Sequence, residues 1–288
     1  MKKTMRNLQF LFLIINIFAC QKEETTAIAE PVEEATGLLT SDSTDVDTAY
    51  QLKNFVISKT LPATFELEMP PVGNQGNQGS CVAWATAYAA RSVIYHYTHN
   101  TVYELPNGNT DKSRVFSPAF IYNQTKTEFG QHGMKIPTAL RTLKQQGVCT
   151  LADMPYSAKD YLTQPTMTQK EAARNYKIKD FKFLDKKQRG DTALLKNILA
   201  AKLPLVGAFN LGTTFRNAAT GQNNYIWTNS EPNRPADHAM VICGYDDRRK
   251  AYKVMNSWGD RWGLRGFVWL DYGNLKNVAS ELWVILPN

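Results

Sequence analysis

The chain has few of the groups that would commit it to metals, disulfides or nucleic acid. Four cysteines and four histidines are spread over 288 residues. That is too sparse for a stapled scaffold and too scattered for a Cys/His zinc site. His96 and His99 stand at helical spacing but without a third ligand nearby, and His132 is isolated. No metal ion or organic cofactor is therefore expected. There is no run of lysine and arginine interleaved with aromatics, no P-loop pattern and no internal repeat, so nucleic acid is not an expected partner. The formal charge of +7 is modest, and it falls to +4 without Lys2, Lys3 and Arg6. No apolar run reaches the roughly twenty residues of a membrane-spanning helix.

What the N-terminus does contain is a leader pattern. Lys2, Lys3 and Arg6 precede a mainly apolar stretch, Leu8 to Phe18, which ends Ile17-Phe18-Ala19-Cys20. A small residue before cysteine at this point resembles a bacterial lipobox. It implies a lipoprotein signal peptide over 1–19, lipidation of Cys20, and an N-terminal lipid anchor holding the protein in the cell envelope as an outer-membrane lipoprotein. The following Gln21-Lys22-Glu23-Glu24 is similar to the acidic signals that send some lipoproteins to the cell surface. Residues 20–58 are rich in Glu, Asp, Thr, Ala and Ser as far as Asp47, and bury too little apolar surface to offset ordering. They are expected to form a flexible tether, although Leu52 to Phe65 could pack on the domain. The remaining 59–288 is long enough to bury roughly 70–75% of its unfolded surface without disulfides. Cys149 and Cys243 are expected to stay free, and the protein to be a monomer.

Three separate segments carry nucleophilic chemistry. Cys81 ends Gly79-Ser80-Cys81 and opens the alanine-rich run Cys81 to Arg91, which predicts a helix with Ser80 as its N-cap and the thiol at its positive end. A thiol attacks a carbonyl as thiolate, so it needs a nearby base or a lowered pKa. His238 can serve as that base, Asn256 can orient its ring, and Trp258 can cover the pair. Gln75 can offer an N–H to a developing oxyanion together with the backbone N–H of Cys81. Asp237, beside His238, is open to two readings, a tuning charge or a turn carboxylate.

Taken in order, Gln75, Gly79-Ser80-Cys81, His238-Ala239 and Asn256-Ser257-Trp258-Gly259 resemble the papain family of cysteine peptidases, in a bacterial branch. Weaker echoes are Phe116 to Tyr122, Gly133-Met134 through Gly147, and Met154-Pro155-Tyr156. The resemblance covers roughly residues 60–286. It departs at Val82, where most members have tryptophan, and at Gln78, where many have a disulfide cysteine.

The resemblance implies an α+β, papain-like two-lobe fold: a helical lobe, an antiparallel β-barrel-like lobe and a cleft between them. It implies Cys81, His238, Asn256 and Gln75 as catalytic residues acting on a peptide or protein substrate. Gly133, Met134, Ala239 and Trp258 would line the substrate site. Two rivals use the same scaffold, a catalytically silent papain-like lipoprotein that binds peptides or a partner, and a papain-like isopeptidase or acyltransferase. The pattern also predicts helices from Pro118, over Pro137–Gln146 and over Ala193–Leu203, and strands at Pro204–Phe209, His238–Tyr245, Ala251–Asn256, Gly266–Leu270 and Leu282–Leu286.

Overall fold

The computed structural model describes residues 35–288 except 47–50, 59, 126–132, 213–214, 216–224, 229–230 and 232–234. The leader, Cys20 and the acidic run after it lie outside the described residues, as does His132. The compact unit runs from Glu33 to Asn288.

The first helix, α1, is built of Cys81–Ala83, a π-helical stretch Trp84–Arg91, and Ser92–His99. Every residue from Cys81 to Ile94 is buried. A helix apolar on all sides belongs inside a protein, and five alanines between Ala83 and Ala90 let neighbouring elements approach closely. The helix ends at Asn100, whose φ of 50° is left-handed. Around α1 lie α2, Pro118–Thr125, and α3, Ile136–Gln145. Ser117 caps α2 as predicted, its Oγ accepting the N–H of Phe120 at 3.2 Å. The predicted helix from Ala193 is Thr192–Ala200, capped by the Asp191 carboxylate on the N–H of Leu194. It stops short of Leu203 because Lys202 turns to φ 67°.

The sheet contains β1 (Thr64–Glu66), β2 (Asp180–Phe183), β3 (Leu205–Phe209), β4 (Ile226–Trp227), β5 (His238–Asp246), β6 (Ala251–Met255), β7 (Phe267–Asp271) and β8 (Ala279–Leu286). Their order is β2-β8-β3-β5-β6-β7-β4, with β1 on the far end of β5. All pairs are antiparallel except β4 with β7. Two features depart from the expected antiparallel barrel. The sheet is mixed, and it is open: among the described residues β2 and β4 end it without meeting. The free edge of β2 is used instead by the chain just upstream of the domain, where the Leu52 N–H donates to Phe183 O at 2.9 Å. An edge covered in this way has no further strand to recruit.

The strands expected from sequence are present, with β5 one residue longer and β8 three residues longer at its start. β1, β2 and β4 escaped prediction because each is at most four residues long, too short for any alternation to stand out. Cys81, Cys149 and Cys243 are free and buried, as expected for the last two.

Composition predicted a flexible tether up to residue 58. Residues 35–46 instead pack on the body, because their polar groups meet partners there that sequence composition cannot show. Asp45 reaches both Lys135 and Arg141. Residues 51–58 also dock, through Leu52 and through Ser58 on Asn197.

After α3 the chain turns at Gly147, with φ 85° and a Cβ position only 1.9 Å from the Ala173 carbonyl oxygen. Gly147→Ala should therefore lower unfolding free energy by about 2 kcal/mol, read from denaturant midpoints, since both handedness and space oppose the methyl group.

Candidate active site

The sheet places the imidazole and the carboxamide. β5 opens at His238, opposite Phe209 of β3, and Val241 pairs with Met255 of β6. Continuing that hairpin register brings Asn256 and Trp258 to the end where β5 begins. The His238 ring meets Asn256 Oδ1 through Nε2 at 2.7 Å. The same oxygen accepts the N–H of Ser257 at 2.7 Å, which fixes the amide with its oxygen toward the ring. With Nε2 committed, Nδ1 is the nitrogen left to exchange a proton with a nucleophile. The Trp258 indole covers the imidazole, with centroids 4.7 Å apart. It is buttressed by Phe215 and Trp262 at 5.6 and 5.5 Å. All three of His238, Asn256 and Trp258 are buried.

The helix delivers the thiol. Cys81 starts α1, and the backbone N–H groups of Ala239, Gly37 and Val82 lie near enough to its sulfur to favour the thiolate. Ala239 follows His238 directly, so the sulfur lies at the start of β5. Ser80 does not cap with its side chain. Its Oγ is 2.7 Å from the Tyr156 hydroxyl, which itself donates to Gln75 O at 2.7 Å. The Ser80 contribution to the helix is its carbonyl, which accepts the Trp84 N–H.

Gln75 is carried by a loop bonded to the segment after Asn256. Its N–H donates to Ser257 O at 2.8 Å, and Gly259 N–H returns to Gly73 O at 3.0 Å. Ser257 Oγ donates to Gln75 Oε1 at 2.6 Å. That bond forces the amide nitrogen outward, where Nε2 donates to Gln78 O at 2.9 Å and Ala35 O at 3.0 Å. The side chain is thus a preoriented donor to a peptide carbonyl. Ser257 and Tyr156 were not singled out from sequence for this role. Ser257 was visible only as part of the Asn-Ser-Trp-Gly motif.

Residues 35–39 lie across these groups. Ala35 O also accepts the Trp258 Nε1–H at 3.2 Å. Gly37 O accepts the Met134 N–H at 2.9 Å, Leu39 N–H donates to Met134 O at 3.1 Å, and Leu38 N–H reaches Asp237 O at 3.4 Å. A Cβ on Gly133 would sit 1.7 Å from Gly37 O, and one on Gly37 would sit 2.0 Å from Gly79 O. Glycine at 133 is what lets a second backbone approach. The expected substrate-lining set is therefore gathered in one place: Gly133, Met134 and Trp258 contact this backbone, and Ala239 faces the sulfur. Asp237 uses its Oδ1 to accept the Leu211 N–H at 3.2 Å, a bond across 26 residues, and its charge acts to raise the pKa of the Cys81 thiol.

Burial has a direct electrostatic consequence. Desolvation pushes the Cys81 thiol up to about 12, against the pull of the three N–H donors. In this conformation the group is a neutral thiol, not the lowered-pKa thiolate that helix position alone suggests. His96, the other buried histidine among the described residues, faces Glu68 at 3.4 Å and contacts Thr101 O.

With its pKa near 12, Cys81 in the full-length protein should be alkylated by iodoacetamide at a rate that climbs about tenfold per pH unit from pH 6 to 9. A plateau in that range, read by mass spectrometry at Cys81, would mean a thiolate is already present.

The model of the papain family cysteine protease matches residues 62–285. Among curated proteins, an uncharacterized peptidase C1-like protein of Acanthamoeba polyphaga mimivirus is 28% identical, over 83% of this chain and 75% of that protein. Vignain of Ricinus communis is 27% identical over 77% of this chain, though the match spans only 59% of vignain. Among solved structures, xylellain, a cysteine protease from Xylella fastidiosa, superposes with TM-score 0.70 at 23% identity, covering 91% of this chain and all of that one. A Carica candamarcensis cysteine protease in complex with E-64 gives 0.62 at 19% identity, covering 79% of this chain and all of that one. These structures share the α+β fold described above. The family match over most of its length shows that the chain belongs to the papain family of cysteine proteases.

Proposed function

We propose that this cysteine peptidase hydrolyses peptide bonds through a thioester on Cys81. The observation that carries the reading is that a peptide main chain already lies among Gln75, Cys81, Met134 and Trp258, with a carbonyl oxygen on the Gln75 amide. A site that holds one extended backbone by main-chain bonds can hold a substrate by the same donors and acceptors.

The steps follow from the groups. Cys81 Sγ attacks the carbonyl carbon of the scissile bond while its proton passes to Nδ1 of His238. The oxyanion accepts hydrogen bonds from Gln75 Nε2 and from the Cys81 N–H, which as the first helical N–H has no intrahelical acceptor. The tetrahedral intermediate collapses with protonation of the leaving amine by the imidazolium, giving the thioester and a free amine. Water, deprotonated by His238, then attacks the thioester, releasing the carboxylic acid and restoring the thiol. Asn256 holds the ring for both transfers. This route requires no metal or organic cofactor.

A helical lobe and a sheet lobe with the site in a cleft between them fit the way α1 brings Cys81 and β5 brings His238. The leader pattern supports an outer-membrane envelope protein anchored through lipid on Cys20, and the site suits peptide or protein substrates.

Cys81→Ala should reduce turnover of a fluorogenic peptide library to background, and retention of wild-type activity would remove the nucleophile. Gln75→Ala should cost about 100-fold in kcat. Ser257→Ala, which releases the Gln75 amide, should cost about tenfold in kcat, equivalent to about 1.4 kcal/mol, with KM little changed. Cys20→Ser should move the expressed protein from the detergent phase to the soluble fraction; unchanged partitioning would exclude lipid on that sulfur.

A further inference from the structure

We infer that the far half of α1 carries a binding site for a phosphate group, free or as the ester of a small molecule, built around the buried Arg91 and separate from the catalytic residues.

The arginine is the first part of the argument. Arg91 is the last residue of the π-helical stretch of α1 and is only 5% exposed. It stands ten positions after Cys81, on the order of 15 Å along a helix. π-helical geometry gives up good hydrogen bonds and is found mostly at functional sites. The guanidinium is held firmly. Nε donates to Tyr176 O at 3.1 Å, and Cζ lies 4.8 Å from the centre of the Phe116 ring and 5.6 Å from that of Tyr95. What it lacks is a counter-charge. Among the described residues no carboxylate pairs with it, and Nη1 is enclosed without an acceptor. Desolvation lowers its pKa to about 10, and the groups opposing that fall are Tyr95 and Tyr176, both tyrosines and not carboxylates. Ring faces return only part of what burying a cation costs, so the position favours an anion.

The cavity is the second part. Arg91 lines a space of about 310 Å³ together with Thr98, His99, Asn175, Lys177 and Asn288, and among the described residues no Asp or Glu lines it. Lys177 follows Tyr176, whose carbonyl Arg91 grips, so one short segment both fixes the guanidinium and brings a second cation to the same space. Lys177 is half-buried and, among the described residues, has no carboxylate partner. The polar groups at the end of α1 are turned to their own helix. Thr98 Oγ1 donates to Ile94 O at 2.8 Å, and His99 Nδ1 lies 3.3 Å from Tyr95 O. The charge lining the cavity is therefore that of Arg91 and Lys177.

A planar fork of N–H donors beside a compact ammonium suits a tetrahedral oxyanion, which can accept from both at once and whose two charges balance the two cations. A carboxylate brings one charge and two oxygens. The volume leaves room for the organic part of a small ester.

Full-length wild type, Arg91→Met and Lys177→Ala are compared by thermal unfolding and by calorimetric titration with inorganic phosphate, glycerol 3-phosphate and acetate, at fixed pH and ionic strength. Wild type should bind a phosphate ligand at a single saturable site, with a Tm rise of about 5 °C at a roughly hundredfold excess over Kd. Lys177→Ala should weaken that binding about tenfold, and Arg91→Met should abolish it. The tighter of the two phosphate ligands tells whether the site takes the free ion or an ester. If Arg91→Met does not fold, Lys177→Ala decides alone. Absence of saturable binding in wild type, or undiminished binding in Lys177→Ala, overturns the site. Acetate binding as tightly as phosphate overturns its assignment to a phosphate group.

Discussion

The site depends on one packing contact, the first turn of α1 against the start of β5. Cys81 and His238 are 157 positions apart in the chain, and nothing local holds them together. What does is the burial of an alanine-rich helix against a strand buried along its whole length. The sulfur lies near the N–H of Ala239, one residue past the imidazole. Close packing of small side chains is what makes that approach possible, and a larger residue in the first turns of α1 would push the helix off the sheet.

A second layer then removes freedom from each polar group. Asn256 Oδ1 is fixed by both the His238 ring and the Ser257 N–H. Gln75 is fixed by Ser257 Oγ on one side and presents its N–H on the other. Tyr156 ties Ser80 to the Gln75 carbonyl. Each of these groups is buried or nearly so, where an unpaired donor is costly, and the pairing therefore determines which atom faces the reacting position. Ser257 is the hinge of this arrangement, since its N–H, carbonyl and hydroxyl each hold a different part of the site.

The thiol shows how far environment outweighs position. A helix start and three N–H donors favour a thiolate, yet enclosure raises the Cys81 pKa to about 12. Residues 35–39 are among the groups around it, with Gly37 near the sulfur beside Ala239 and Val82.

The sequence determined the chemistry and most of the scaffold. Cys81, His238, Asn256 and Gln75 were legible because motif order singles out residue types, and the main helices and strands were legible because their apolar periodicity and caps are local signals. Tertiary structure decided the rest. The open mixed sheet, in place of a closed barrel, follows from strand pairings between distant short segments such as β4 with β7, which leave no local periodicity. The docking of residues 35–46 was hidden because composition reports how much apolar surface a segment can bury. It is silent on whether Glu281, Lys135 and Arg141 wait elsewhere in the fold to receive its polar groups.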